Sequence, residues 1–181
     1  MENLKKTHVA ILATNGFEES ELFEPKETLE KAGVDVHVIS PESGKIKGWN
    51  HGNWSKEVEV NKTINEASVD DYDMLILPGG VLSPDKLRRD EKVIQFVGSF
   101  FEKEKNVAVI CHGSQTMIEA EVVNGRKMTS FSAIKKDLIN AGANWVDEAV
   151  VVDNNLISSR NPGDLQEFNA QILNKLKKQD S

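Results

Sequence analysis

The segment Val107-Ala108-Val109-Ile110-Cys111-His112-Gly113 decides the fold. Its first four residues are apolar without alternation, which reads as a strand buried on both faces. The run ends on Cys-His-Gly, and the spacing beyond it becomes helical. Working outward, Met74 to Leu77 repeats the pattern and is stopped by Pro78-Gly79-Gly80. His8 to Ala13 forms a further strand, and Val34 to Ile39 alternates as another. Amphipathic stretches lie between them. Glu19 to Ala32 is helical, with Leu22, Phe23, Leu29 and Ala32 near one face and Gly33 as its stop. A second helix runs from Glu91 to Lys105 and buries Val93, Ile94, Val97 and Phe101. Further helices are expected from Gly113 to Val122, Ala133 to Ala141 and Pro162 to Lys178, the last with proline in its first turn. Residues 41–61 read as an irregular hairpin carrying Trp49 and Trp54. Asp153-Asn154-Asn155 reads as a tight turn between two short strands. Buried strands separated by helices give a doubly wound α/β fold with a mainly parallel sheet. In such folds the site lies beyond the carboxyl ends of the strands. Three ends stand out: Thr14 to Glu18, Pro78 to Gly80, and Cys111 to Gly113.

The chain has 181 residues, which suits one domain over residues 1–181. Its net charge of -7 argues against a nucleic-acid partner, which would demand a basic face. The basic run Lys175 to Lys178 reads as a solvated helix end. No apolar run reaches the roughly 20 residues of a membrane helix. The polar start, Met1 to Lys6, does not resemble a signal-peptide core, so a cytoplasmic location is expected.

Cys111 is the sole cysteine. An intramolecular disulfide is therefore impossible, and so is a structural zinc site built on thiolates. Two readings remain, an inert core residue or a reactive thiol. A strand-to-helix turn pushes the side chain out over the sheet edge, with Gly113 permitting the bend. Helix amides aimed at sulfur would lower the thiol pKa, and His112 would add a positive charge or a proton path. Glu18, nearest the first strand end, is expected to be a raised, protonated carboxyl beside the thiolate. Glu19 and Glu21 read as carboxylates favoured at a helix start. Gly79 and Gly80 read either as an ordinary turn or as an oxyanion hole. His8 and His37 read as satisfied sheet residues. His51 has no second histidine at ligand spacing, so no metal site is expected. Trp49 and Trp54 wall a cleft, fill an interface or simply pack.

Several strings together resemble the ThiJ/PfpI family over nearly the whole chain. They are Gly16-Phe17-Glu18-Glu19-Ser20-Glu21-Leu22, Leu77-Pro78-Gly79-Gly80 and Ala108-Val109-Ile110-Cys111-His112-Gly113. Asn140-Ala141-Gly142-Ala143, Val150-Val151-Val152-Asp153 and Ser158-Ser159-Arg160 follow in family order. The resemblance is to the general-stress branch. It implies a flavodoxin-like sandwich of the class I glutamine amidotransferase type and a homodimer or larger homo-oligomer. It implies Cys111 as nucleophile, Glu18 as its protonated partner, and the amides of Gly80 and His112 as oxyanion hole. It also implies that Asp85 reaches His112 of a neighbouring subunit and that Arg160 shapes the pocket rim with Gly79 and Gly80. Ser114 stands where many relatives have proline, and Phe131 where some have tyrosine. Three activities follow as expectations. The first is cofactor-free glyoxalase or deglycase action on a reactive carbonyl or a glycated protein. The second is an intracellular cysteine peptidase or amidase. The third is an oxidation-sensing or chaperone-like stress protein.

Overall fold

The computed structural model describes Leu4 and residues 6–179, so most of the polar start at Met1 to Lys6 lies outside the described residues. The first half contains β1 (His8–Leu12), β2 (Phe17–Glu18), α1 (Glu19–Lys31), β3 (Asp35–Ser40), β4 (Lys45–Asn50), β5 (Asn53–Glu59) and β6 (Lys62–Thr63). Next come β7 (Met74–Leu77), α2 (Leu82–Leu87), α3 (Glu91–Glu102), β8 (Asn106–Ile110) and α4 (Gln115–Glu119). The chain continues through β9 (Lys127–Met128), α5 (Lys135–Asn140), β10 (Asn144–Trp145), β11 (Val150–Asp153), β12 (Leu156–Ser159) and α6 (Leu165–Gln179).

Seven strands form one sheet in the order β11-β12-β8-β7-β1-β3-β6. Every neighbouring pair is parallel except β11 with β12, which are joined at Asn154 in the left-handed region (φ 52°). The sheet buries both faces, as the unbroken apolar runs require. Val9, Ile11, Ala108, Ile110 and Ile157 face Leu22, Leu29, Phe168 and Ile172 on one side. Ala10, Leu12, Leu75, Leu77, Val107 and Val109 face Val93, Val97, Phe100 and Met117 on the other. The expected doubly wound α/β class is the observed one.

Two local features differ from the sequence reading. The helix expected from Gly113 to Val122 is the shorter α4, because residues 111–114 form a turn and Glu121 adopts a left-handed backbone (φ 57°). The residues after Pro78-Gly79-Gly80 hold the helix α2, which no sequence expectation above contained. The hairpin between residues 41 and 61 is β4 with β5, antiparallel, with a register shift between Lys47 and Trp49. A third strand, β2, pairs with β4 in parallel, setting Glu18 beside Trp49. This small sheet stands over the carboxyl end of β1.

The turn after β8 is closely packed. A Cβ on Gly113 would lie 2.4 Å from the Leu77 carbonyl oxygen, a backbone atom that cannot swing aside. Gly98 sits in α3, where a Cβ would meet only the Ala120 Cβ at 4.0 Å. Gly113→Ala is expected to lower the unfolding free energy by about 1–3 kcal/mol. Gly98→Ala is expected to raise it by about 0.5–1 kcal/mol. Urea denaturation of both variants reads the difference, and unchanged stability at Gly113→Ala would overturn the packing described.

Candidate active site

Cys111 follows β8 directly and adopts φ 61°, in the left-handed region. That conformation costs a non-glycine residue about 1–2 kcal/mol. It is held by neighbours on both sides. The Cys111 amide donates to the Ser159 carbonyl at 3.1 Å, and the Cys111 carbonyl accepts from the Phe131 amide at 3.2 Å. The result is a side chain turned out of the sheet plane with only 7% of its surface exposed. Sequence adjacency alone did not place the His112 ring, but the structure sets its Nδ1 3.2 Å from Cys111 Sγ. The ring stacks on Phe131 with centroids 4.9 Å apart and planes at 28°. That stack limits rotation of the imidazole.

The carboxyl partner of the thiol is Glu21, not Glu18. Glu21 is fully buried in the first turn of α1. Its Oε1 accepts the Gly79 amide at 3.0 Å, and Cys111 contributes a further hydrogen-bonding interaction to the carboxyl. Its Oε2 is buried without a partner of full hydrogen-bond geometry. The reason lies in helical phase. Glu21, Pro25 and Leu29 recur every four residues, and with Leu22 they make the buried face of α1. Reading Glu21 as a solvated helix-start carboxylate was therefore wrong. Glu18 is the last residue of β2 and is only partly buried. Its pKa is raised as expected, but chiefly by burial, with His51 opposing and Glu19 adding to the shift.

Gly79 has a structural part that the oxyanion reading did not contain. A Cβ there would lie 2.7 Å from both Cys111 Cβ and Glu21 Oε1. A side chain at 79 would push thiol and carboxyl apart. The amides of Gly80 and His112 both point at the sulfur and favour its charged form. They do not prevail. Burial, then the nearby Glu21 carboxyl, push the Cys111 thiol well above its ordinary value. The expected lowering by a helix terminus fails because α4 is short and the sulfur is enclosed. Burial likewise raises Glu21 to about 8 and lowers His112. Burial thus disfavours the charged form of all three groups.

A cavity of about 660 Å³ opens above the sulfur. Its walls include Trp49, Val81, Leu82, Phe131 and Pro162, which are apolar, beside Glu18, Glu21, His51, Cys111 and His112. Trp49 meets Trp54 edge to face at 5.2 Å, and Trp54 is half exposed at the rim. His51 was not read as a site residue. It stands in the turn between β4 and β5 with φ 47°, and its place between two tryptophans was the available signal. His8 and His37 are satisfied by Asp35 and the Tyr72 hydroxyl.

Two expected site residues lie elsewhere. Arg160 is not on the cavity wall. Its Nε and Nη2 donate to Asp164 at 2.9 and 3.0 Å, and its Nη1 donates to Asp147 at 2.9 Å. The guanidinium thus secures the turn before α6. Asp85 is exposed on α2 and pairs with Arg89 at 3.6 Å, so within one chain it is not brought to His112.

The profile of the DJ-1/PfpI family matches residues 7–175. The chain belongs to the DJ-1/PfpI family. A Pyrococcus furiosus member named deglycase PfpI is 42% identical over 169 residues, covering 93% of this chain and 99% of that one. A Bacillus subtilis member provisionally named cysteine protease YraA is 42% identical over 169 residues, covering 93% and 98%. An Anabaena variabilis protein with DJ-1/ThiJ/PfpI-like and ferritin-like domains superposes with a TM-score of 0.89 at 41% identity. The match covers 94% of this chain and 48% of that two-domain protein, about half its length. The DJ-1/PfpI assignment agrees with the motifs read from the sequence.

The raised Glu21 pKa has a consequence for stability. Its folded value of about 8 exceeds the unfolded value of 4.5, so the folded state holds the extra proton between them. Stability from this group is full below the unfolded pKa and is lost as pH rises through the folded one. The loss is about 1.4 kcal/mol per pH unit within that window. Wild type is therefore expected to lose stability relative to Glu21→Gln from about pH 5 to pH 8, then run parallel to it. Denaturant titrations at several pH values check this, and a constant difference would show that the carboxyl is not held neutral.

Proposed function

We propose that this protein is an enzyme that converts reactive 2-oxoaldehydes, or their early adducts on amino groups, into 2-hydroxy acids. The observation that carries the reading is a buried thiol with the His112 imidazole at 3.2 Å and the fully buried Glu21 carboxyl beside it. A thiol with a raised pKa is a poor nucleophile until its proton leaves. His112 Nδ1 takes that proton as sulfur adds to the aldehyde carbon. The carbonyl π-bond becomes an oxyanion, which the Gly80 and His112 amides and the Glu21 proton stabilise. With a hemiaminal adduct, the carbon–nitrogen bond breaks as the carbon–sulfur bond forms, and the amine leaves with the proton that His112 took from the thiol. With a free aldehyde, His112 passes the thiol's proton to the oxyanion, which completes the hemithioacetal. Either route frees the imidazole to take the carbon-bound proton and return it to the adjacent carbon. That shift yields a thioester of the 2-hydroxy acid. Water then cleaves the thioester, returning the thiol, so one water is consumed per aldehyde. The name of the Pyrococcus furiosus deglycase supports this direction.

A second reading, peptide or amide hydrolysis, is favoured by the same Cys111–His112 contact and by the name of the Bacillus subtilis relative. There Asp85 of a neighbouring subunit would orient His112, which requires the homo-oligomer that the resemblance implies.

A panel of methylglyoxal, its adducts on N-acetylarginine and N-acetyllysine, and small amides separates the two readings. Wild type is expected to consume carbonyl compounds and form the hydroxy acid. Cys111→Ala is expected to lose at least about 10³-fold in rate, and Asp85→Ala to retain carbonyl turnover. Carbonyl turnover that survives Cys111→Ala would overturn the first reading. Amide turnover lost in Asp85→Ala would establish the second.

A further inference from the structure

The DJ-1/PfpI motif contributes two carboxyls to this cavity, and the proposed chemistry uses one. Glu18 lines the cavity at the end of β2, paired in register with Trp49 of the neighbouring strand. His51, in the next turn, lines the same wall and acts electrostatically on the Glu18 carboxyl. Cys111, His112 and Phe131 line the cavity as well. The cavity therefore holds a second set of polar groups, Glu18 and His51, besides those around the sulfur.

The wall is also short of permanently charged cations. Among the described residues, no lysine or arginine lines the cavity. Arg160, the cation that sequence places nearest, is committed to Asp164 and Asp147. Lys56, on the outer face of the hairpin, approaches Glu19 at 3.9 Å and the Phe23 ring, not the cavity. A carboxylate or phosphate entering this cavity would lose water and meet the Glu18 carboxyl with no lysine or arginine in compensation. An ammonium or guanidinium would keep its hydrogen bonds by donating to Glu18, and its carbon chain would lie against Trp49 and Leu82.

Building on the reading of this cavity as the active site, we infer that it selects substrates by charge. It takes cationic or neutral carbonyl adducts, rejects anionic ones, and uses Glu18 to receive the N–H groups of the substrate's amine or guanidine. Glu18 is thus a specificity residue for amine-borne carbonyls and not a partner of the sulfur. Free aldehydes, which have no N–H to offer, depend on it little.

Binding and turnover test this separately. In Cys111→Ser protein, quenching of tryptophan fluorescence would report benzamidine, benzamide and benzoate, three probes of one shape and different charge. The expected order of affinity is benzamidine, benzamide, benzoate. Glu18→Gln in that background is expected to erase the benzamidine preference, about tenfold, while leaving benzamide unchanged. Benzoate binding as tightly as benzamidine, or a preference that survives Glu18→Gln, would overturn the inference. In the enzyme with Cys111 intact, Glu18→Gln is expected to lower kcat/KM for the arginine adduct of methylglyoxal about tenfold more than for free methylglyoxal. Equal losses on both would overturn it too. Absence of any carbonyl turnover in wild type would sink the proposed reaction alone, because the binding series does not depend on it.

Discussion

Three stretches of chain meet where residue 79 carries no side chain. The Gly79 backbone is close enough to Cys111 that a Cβ would lie 2.7 Å from that of the cysteine. It is also close enough to Glu21 that its amide fixes the carboxyl at 3.0 Å. Every other feature of the site depends on this approach. The end of β7 supplies the glycine, the end of β8 supplies the sulfur, and the first turn of α1 supplies the acid. Parallel strands put their carboxyl ends at one edge of the sheet, and there three distant segments can converge. Backbone hydrogen bonds then lock them, from Glu18 to Gly79 at 3.1 Å and from Cys111 to Ser159 at 3.1 Å. The left-handed backbone of Cys111 is held by that lattice.

Enclosure rather than a positive field governs the charge state. Two amides reach the sulfur, and in a more open site they would draw its proton off. Here the same burial that excludes water disfavours each ion in turn. It raises the carboxyl and the thiol, and it lowers the imidazole. A site that disfavours charge does not store a thiolate. It creates one when a carbonyl arrives to receive the electron pair, with a base in contact.

The fold was legible because fully apolar strands admit few alternatives. Met74 to Leu77 and Val107 to Ile110 could only be central, and they are. The sulfur was legible because a cysteine at such a strand end has little room to be ordinary. The acid was misread for a reason of period. Proximity to the strand end favoured Glu18, whereas the helical stripe through Leu22, Pro25 and Leu29 already included position 21. Arg160 was misplaced because a motif records the residue and not its partners, and Asp164 lies four residues on. His51 escaped because a hairpin's register over another sheet is set by long-range pairing that local spacing does not encode.

The Glu18-Glu19-Ser20-Glu21 motif shows how one short acidic run serves three purposes. Glu18 ends a strand and Glu19 begins a helix, so the side-chain period changes from two residues to 3.6 between them. The change turns the three carboxyls in different directions. Glu18 faces the cavity wall that Trp49 and His51 share. Glu19 points outward, with Lys56 at 3.9 Å. Glu21 rotates beneath the sheet edge to the sulfur. Had the helix begun two residues earlier, Glu18 would enter its first turn and a different position would reach the buried stripe. The boundary between β2 and α1 therefore determines which carboxyl meets the thiol and which lines the cavity beside Trp49. That boundary is held by the pairing of Phe17 and Glu18 with Gly48 and Trp49, partners on β4 that lie outside the motif.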